Sequence, residues 1–168
     1  MAQDKKNILI GAGTLVAGTD NLGYTRDGVT ISKSGEFLDV HPDQVTYPIL
    51  NQKTSETYQV STNLLEITLE NLKIAWGESA AVVGGNSLKL GTAEVDVTEH
   101  VLVFNGLAPK NLAGKYGDRT VTFHRASAME YGEMAMTRDG ETIIPVTFTC
   151  LYDAEEECVG QIVDAEAT

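Results

Sequence analysis

Four sets of residues in this chain have types that could do chemistry. Ile8-Leu9-Ile10-Gly11-Ala12-Gly13 opens like a dinucleotide fingerprint, with a strand entering a glycine turn. That fingerprint also needs a third glycine three residues on, and a helix whose N-terminus receives the pyrophosphate. Here the next glycine is Gly18, followed by Asp20-Asn21-Leu22-Gly23, so nucleotide binding is not supported. The histidines His41, His100 and His124 stand far apart, outside any metal-ligand spacing. Cys150 and Cys158 read as two reduced thiols, a disulfide stapling the C-terminal arm being the minor alternative. Carboxylates are abundant enough to pair by chance, and no serine sits in a Gly-x-Ser-x-Gly turn. No cofactor, metal or catalytic set follows from these residues.

The elements that would have to position a site are mostly strands. In the final run, Ile144, Val146, Phe148 and Cys150 alternate with Pro145, Thr147, Thr149 and Leu151, as in a strand packed on one side. Arg138-Asp139-Gly140 before it predicts a tight hairpin turn, preceded by a further strand after Arg119–Ala126. Asp27-Gly28 predicts another hairpin turn, between Asn21–Thr25 and Gly28–Ile31. Beyond it, Val29, Ile31 and Lys33 alternate with Thr30, Ser32 and Ser34. A connection at Asp39–Gln44 leads into the extended run Val45–Ser61, strongly polar after Ile49. Such a segment has little core of its own, and is either floppy or ordered by pairing with another chain.

One helix is predicted over Asn63–Trp76, with Asn63 as cap, Glu66 completing a capping box and Gly77 as stop. Leu65, Leu69, Leu72 and Trp76 form its core stripe, Trp76 being a core anchor. Gly84–Gly91 reads as a loop, Val95–Phe104 as one or two strands, and Leu107–Asp118 as a surface loop. The acidic tail from Asp153 pairs briefly around Val159–Val163 or is mobile.

Bulk properties agree with a mainly β chain. Its 168 residues fit one domain, spanning 1–168, with an extended hairpin and loop at about 28–62 and the acidic tail at about 153–168. Sixteen glycines against four prolines suit many turns and bulges. No apolar run approaches the roughly 20 residues of a membrane helix, and the opening MAQDKKNILIGAG does not read as a signal peptide. Twelve basic residues face twenty-four acidic ones, a net charge of −12, which argues against gripping nucleic acid.

In order and spacing, three stretches resemble the major tail tube proteins of long-tailed, siphovirus-type bacteriophages. They are Asn21–Ile31, Val60–Leu72, and Val121–Ala126 with Gly132-Glu133-Met134 and Ile144–Phe148. The resemblance implies two packed antiparallel sheets, as a β-sandwich or barrel, with one flanking helix. It further implies hexameric rings stacked into a tube through which DNA leaves the virion without being bound. Partners implied are the chain itself, a tape measure protein, a tail terminator and baseplate or tip proteins. The implied location is the virion tail, after assembly in the host cytoplasm. Thr30, Ser32, Ser34 and Glu36 become candidates for the channel lining. Asp39, Asp43, Gln44, Asn51, Thr54 and Glu56 become candidates for contacts between subunits and rings. Tubes of contractile tails and secretion-type injection systems share this architecture and stand as the alternative. A monomeric β-barrel binding module would want no long polar extended segment, and an acidic β-rich hydrolase would need a nucleophile or metal set.

Overall fold

The structure is a computed structural model that describes residues 13–79, 82–91, 97–110, 115–136 and 138–165. The fingerprint-like Ile8–Ala12 therefore lies outside the described residues. Eight strands and one helix follow in the order β1 (Thr14–Ala17), β2 (Asp20–Asn21), β3 (Thr25–Val40), β4 (Leu50–Leu64), α1 (Leu69–Ala75), β5 (His100–Lys110), β6 (Tyr116–Tyr131), β7 (Ile144–Leu151) and β8 (Gly160–Ala165). All pairings are antiparallel, in the order β2-β1-β5-β6-β7-β4-β3, with β8 added to β6.

The mainly β, antiparallel architecture with one helix is as expected, and its eight described strands join edge to edge in one sheet. The joint is β6, which is 16 residues long. One of its edges pairs with β5; along the other, β8 takes Asp118–Phe123 and β7 takes Arg125–Tyr131. The sheet is also rolled. Only Leu22-Gly23-Tyr24 separate β2, on one edge, from β3, on the other. Three residues reach roughly 14 Å between the flanking Cα atoms, so the two edges meet there. Leu65 N–H bonds Tyr24 O at 2.9 Å and Tyr24 N–H bonds Glu66 Oε1 at 3.1 Å, carrying the β3–β4 pairing on into that seam.

The apolar faces of β1, β4, β5, β6 and β7 bury Leu15, Val60, Leu64, Leu102, Phe123, Ile144, Val146 and Phe148 in one cluster. In β7 the alternation expected from sequence is observed, with Ile144, Val146, Phe148 and Cys150 inward. Cys150 and Cys158 are both free. Burial pushes the Cys150 thiol up to about 12.

The helix begins later than predicted. Asn63 and Leu64 remain in β4, paired with Pro145 and Ile144 of β7, because the ladder uses the backbone groups a helix would need. Thr68 is the cap, its hydroxyl accepting from Asn71 N–H at 3.1 Å. Glu66 faces the seam instead of closing a capping box. Leu72 is in the core with Ile74 and Ala75, Leu69 and Trp76 pack on it half-buried, and Leu65 precedes the helix. Gly77, at φ 63°, ends it: Gly77 N–H reaches Ile74 O and Glu78 N–H reaches Lys73 O, at 3.2 and 2.9 Å.

Three turn readings change. Asp27 and Gly28 do take positive φ, 62° and 78°, but inside β3. They form a two-residue bulge between Arg26 and Val29 while β4 runs on opposite. Asp139-Gly140 lies in a bent connection between β6 and β7, with no strand among its described residues. The expected loop Leu107–Asp118 is largely strand, since β5 continues to Lys110 and β6 starts at Tyr116. Gly160–Ala165 of the acidic tail pairs with β6, clamped by Arg119 on Asp164 at 2.6 and 2.7 Å.

A candidate assembly surface on the β3–β4 ribbon

Strands β3 and β4 pair from Thr25–Leu64 at the root to Val40–Leu50 at the far end. Only Tyr58–Leu64 of β4 also pair with β7. Beyond Tyr58 the two strands continue as a two-stranded ribbon for about 25 Å, at about 3.4 Å per residue. Along that length β3 pairs only with β4 and β4 only with β3, so both outer edges carry unpaired backbone groups. Residues 30–41 and 43–55 are all exposed. A two-stranded hairpin is marginal in water by itself, and a long free edge is a template for another strand.

The ribbon and its tip are also apolar at many positions. Phe37 is 62% exposed, Tyr47 76% and Ile49 66%, with Leu38 and Leu50 beside them. Large apolar side chains are thus exposed on both faces of the ribbon.

Polar side chains stiffen the ribbon across its strands. Glu56 Oε1 meets Lys33 Nζ at 2.8 Å, and Lys53 also pairs with Glu56. Lys33 lies over the Tyr58 ring, 5.1 Å from its centroid. The Lys33 ammonium, then Lys53 and Tyr58, hold the Glu56 carboxyl down at about 2, and the same contact raises Lys33. Where β4 slips register against Glu36 and Phe37, Thr54 Oγ1 donates to Glu36 O at 3.1 Å. Asn51 Nδ2 donates to Asp39 Oδ1 near the tip. Of the residues expected at subunit contacts, Asp39, Asn51, Thr54 and Glu56 are thus engaged within the ribbon. Asp43 and Gln44 stand exposed in the connecting loop.

Register assigns the faces, since paired residues point the same way. Val29, Ile31, Lys33 and Phe37 lie opposite Thr62, Val60, Tyr58 and Lys53, the face that becomes core at the root. Thr30, Ser32, Ser34 and Glu36 lie opposite Ser61, Gln59, Thr57 and Ser55, on the other face. In β7, Thr147 and Thr149 continue that face beside Ser61 and Gln59. The four candidate lining residues are therefore together, in a larger hydroxyl-rich surface. Reasoning from sequence missed its β4 members; the hydroxyl spacing in Thr57-Tyr58-Gln59-Val60-Ser61 was the available signal.

Elsewhere, the His124 backbone N–H bonds Val159 O at 3.2 Å, and its side-chain Nε2 is buried without a hydrogen-bond partner among the described residues. Among the described residues, no group of three or more His, Cys, Asp or Glu could hold a metal ion, and no helix is long and apolar enough to cross a membrane.

No family model matches the sequence, and no curated protein matches it. Solved structures do match in fold. One is a chain of the PVC sheath–tube complex in its extended state, an extracellular contractile injection system. It has 9% identity and a TM-score of 0.58, with 96% of this chain and 94% of that chain covered. Another is a chain of the anti-feeding prophage (AFP) tube terminating cap, at 9% identity and a TM-score of 0.52, covering 96% and 97%. At that identity the likeness is one of fold: a rolled antiparallel sheet with one helix, matched over nearly the whole length of each chain.

Proposed function

We propose that this chain is a structural subunit, not an enzyme, that assembles with copies of itself into the tube of an injection-type particle. The observation that carries the reading is the β3–β4 ribbon, with two unpaired edges and apolar residues at its end. Its two edges belong to different strands, so copies join head to tail. Such contacts close into rings, while stacking contacts extend into a filament. Six copies per ring, a tape measure inside, and terminator and baseplate proteins at the ends complete the proposal.

The contractile-type tube takes precedence over the siphovirus tail tube suggested by the sequence resemblance. Both solved structures above come from a contractile injection system or an anti-feeding prophage, which supports that preference. A monomeric ligand-binding barrel fits less well, because fully buried Phe148, Leu15, Leu64, Leu102 and Ile144 occupy the interior. Negative-stain microscopy of the concentrated protein tests the reading. Rings or hollow tubes are expected; a particle that stays monomeric, even beside a baseplate initiator, overturns it.

A further inference from the structure

The tetrapeptide Thr-Arg-Asp-Gly occurs twice in this chain, at 25–28 and at 137–140. Its Asp-Gly bond is a reactive pair, because glycine has no side chain to shield its amide from the preceding carboxyl group. The Gly nitrogen attacks Asp Cγ, a carboxyl oxygen leaves as water, and a five-membered succinimide closes. Water then reopens the ring at either carbonyl. Opening at the former main-chain carbonyl leaves the chain running through Cγ, an isoaspartyl link one backbone carbon longer. One water is lost and one regained, so the mass is unchanged and no redox partner is needed. Asn105-Gly106 can enter the same ring by losing ammonia in place of water.

Ring closure requires the intervening peptide unit to turn toward the side chain, so backbone held in a ladder is protected until it opens. Asp27-Gly28 is pinned at both ends, by Arg26 paired with Asn63 and Val29 paired with Thr62. Thr62 Oγ1 also donates to Gly28 O at 2.9 Å. Asn105 and Gly106 stand in the β5–β6 ladder opposite Thr120 and Arg119, and Asn105 Oδ1 accepts from Thr120 Oγ1 at 3.2 Å. Asp139 and Gly140 are different. Both are exposed in the bent connection after Tyr131, without a ladder pair among the described residues. The next residue, Glu141, pairs with Arg26 of the first tetrapeptide.

We propose that Asp139-Gly140 is a covalent modification site, where isoaspartate forms in the folded chain while Asp27-Gly28 and Asn105-Gly106 are spared. The added carbon falls beside Glu141 and so against the root of the ribbon. The inference needs the fold alone and stands whether or not tubes form. Full-length protein is held at neutral pH, folded and in urea, until the urea sample has converted. Endoproteinase Lys-C then separates the three candidates into peptides 7–33, 90–110 and 116–168. Electron-transfer fragmentation locates each isoaspartate, and an isoaspartyl carboxyl methyltransferase measures the total. In the folded protein, Asp139 is expected to convert at least about tenfold faster than Asp27 or Asn105. In urea the two Asp-Gly sites should convert within about threefold of each other, their tetrapeptides being identical. Asp139→Glu should remove the folded-state signal. Equal conversion of Asp27 and Asp139 in the folded chain overturns the inference, as does a folded chain that stays free of isoaspartate. A difference of about tenfold that persists in urea also overturns it, by tracing the selectivity to sequence neighbours and not to the fold.

Discussion

Replacing Phe37 with serine should separate folding from assembly. Phe37 is 62% exposed on the ribbon, and a phenylalanine offers roughly 200 Å². About 120 Å² therefore stands open in the free subunit; at about 25 cal/mol per Å² its burial against a neighbour is worth about 3 kcal/mol. Losing it weakens each subunit contact about a hundredfold. In the free subunit the same change removes only exposed surface, so stability should move by no more than about 0.5 kcal/mol. The assay is the critical concentration for tube formation by sedimentation, beside a urea unfolding curve of the unassembled protein. A rise of about a hundredfold with an unchanged urea midpoint is expected. Assembly at the original concentration would show that the ribbon is not the contact. A collapsed midpoint would show that Phe37 belongs to the fold, and the division between root and ribbon would be wrong.

Three other perturbations bear on the fold itself. Phe148→Ala, at a fully buried position, should cost about 3–5 kcal/mol in urea unfolding. Gly77→Ala should cost about 1–2 kcal/mol, since φ is 63° and a methyl would sit 3.2 Å from the Tyr131 hydroxyl; an unchanged midpoint would contradict the helix-end geometry. Glu56 titrates near 2 when folded against an ordinary 4.5, so its contribution is present above 4.5 and is lost as pH falls through about 2. NMR titration should find that low value, and Lys33→Met should move it back up; a Glu56 that titrates normally in the parent chain would mean the ribbon's ion pairs do not form in solution.

Much of the sheet was legible, because alternation is local. β7 shows its core face in Ile144, Val146, Phe148 and Cys150, and the polar run after Ile49 marks the part of β4, up to Ser55, that stays exposed. Conformation was more legible than its use. Asp27-Gly28 has the positive φ expected, yet whether the chain reverses there depends on β4 continuing opposite, which is a long-range fact. Asn63 and Glu66 match a helix start, but ladder bonds from Asn63 and Leu64 to β7 override that local preference and leave the cap to Thr68. Pro109 and Gly117 suggested a loop where β5 and β6 pair through, tolerated beside register shifts between Leu107 and Lys110. Which face of the ribbon joins the core was not legible at all. Alternation gives two faces, and only the pairing of Val60 with Phe148 identifies the inner one.

The Asp27-Gly28 bulge has a consequence for how such a chain can change over time. It lies within the root of the ribbon, opposite Asn63 and Thr62, where β4 is still paired with β7. Beyond Lys33 and Tyr58 the ribbon leaves the sheet as a continuation of the β3–β4 main-chain ladder. Exposed ribbon residues that make no contact can drift, provided that the pairing survives. Architecture held in the backbone in this way places few demands on side-chain identity, and one fold is shared at 9% identity.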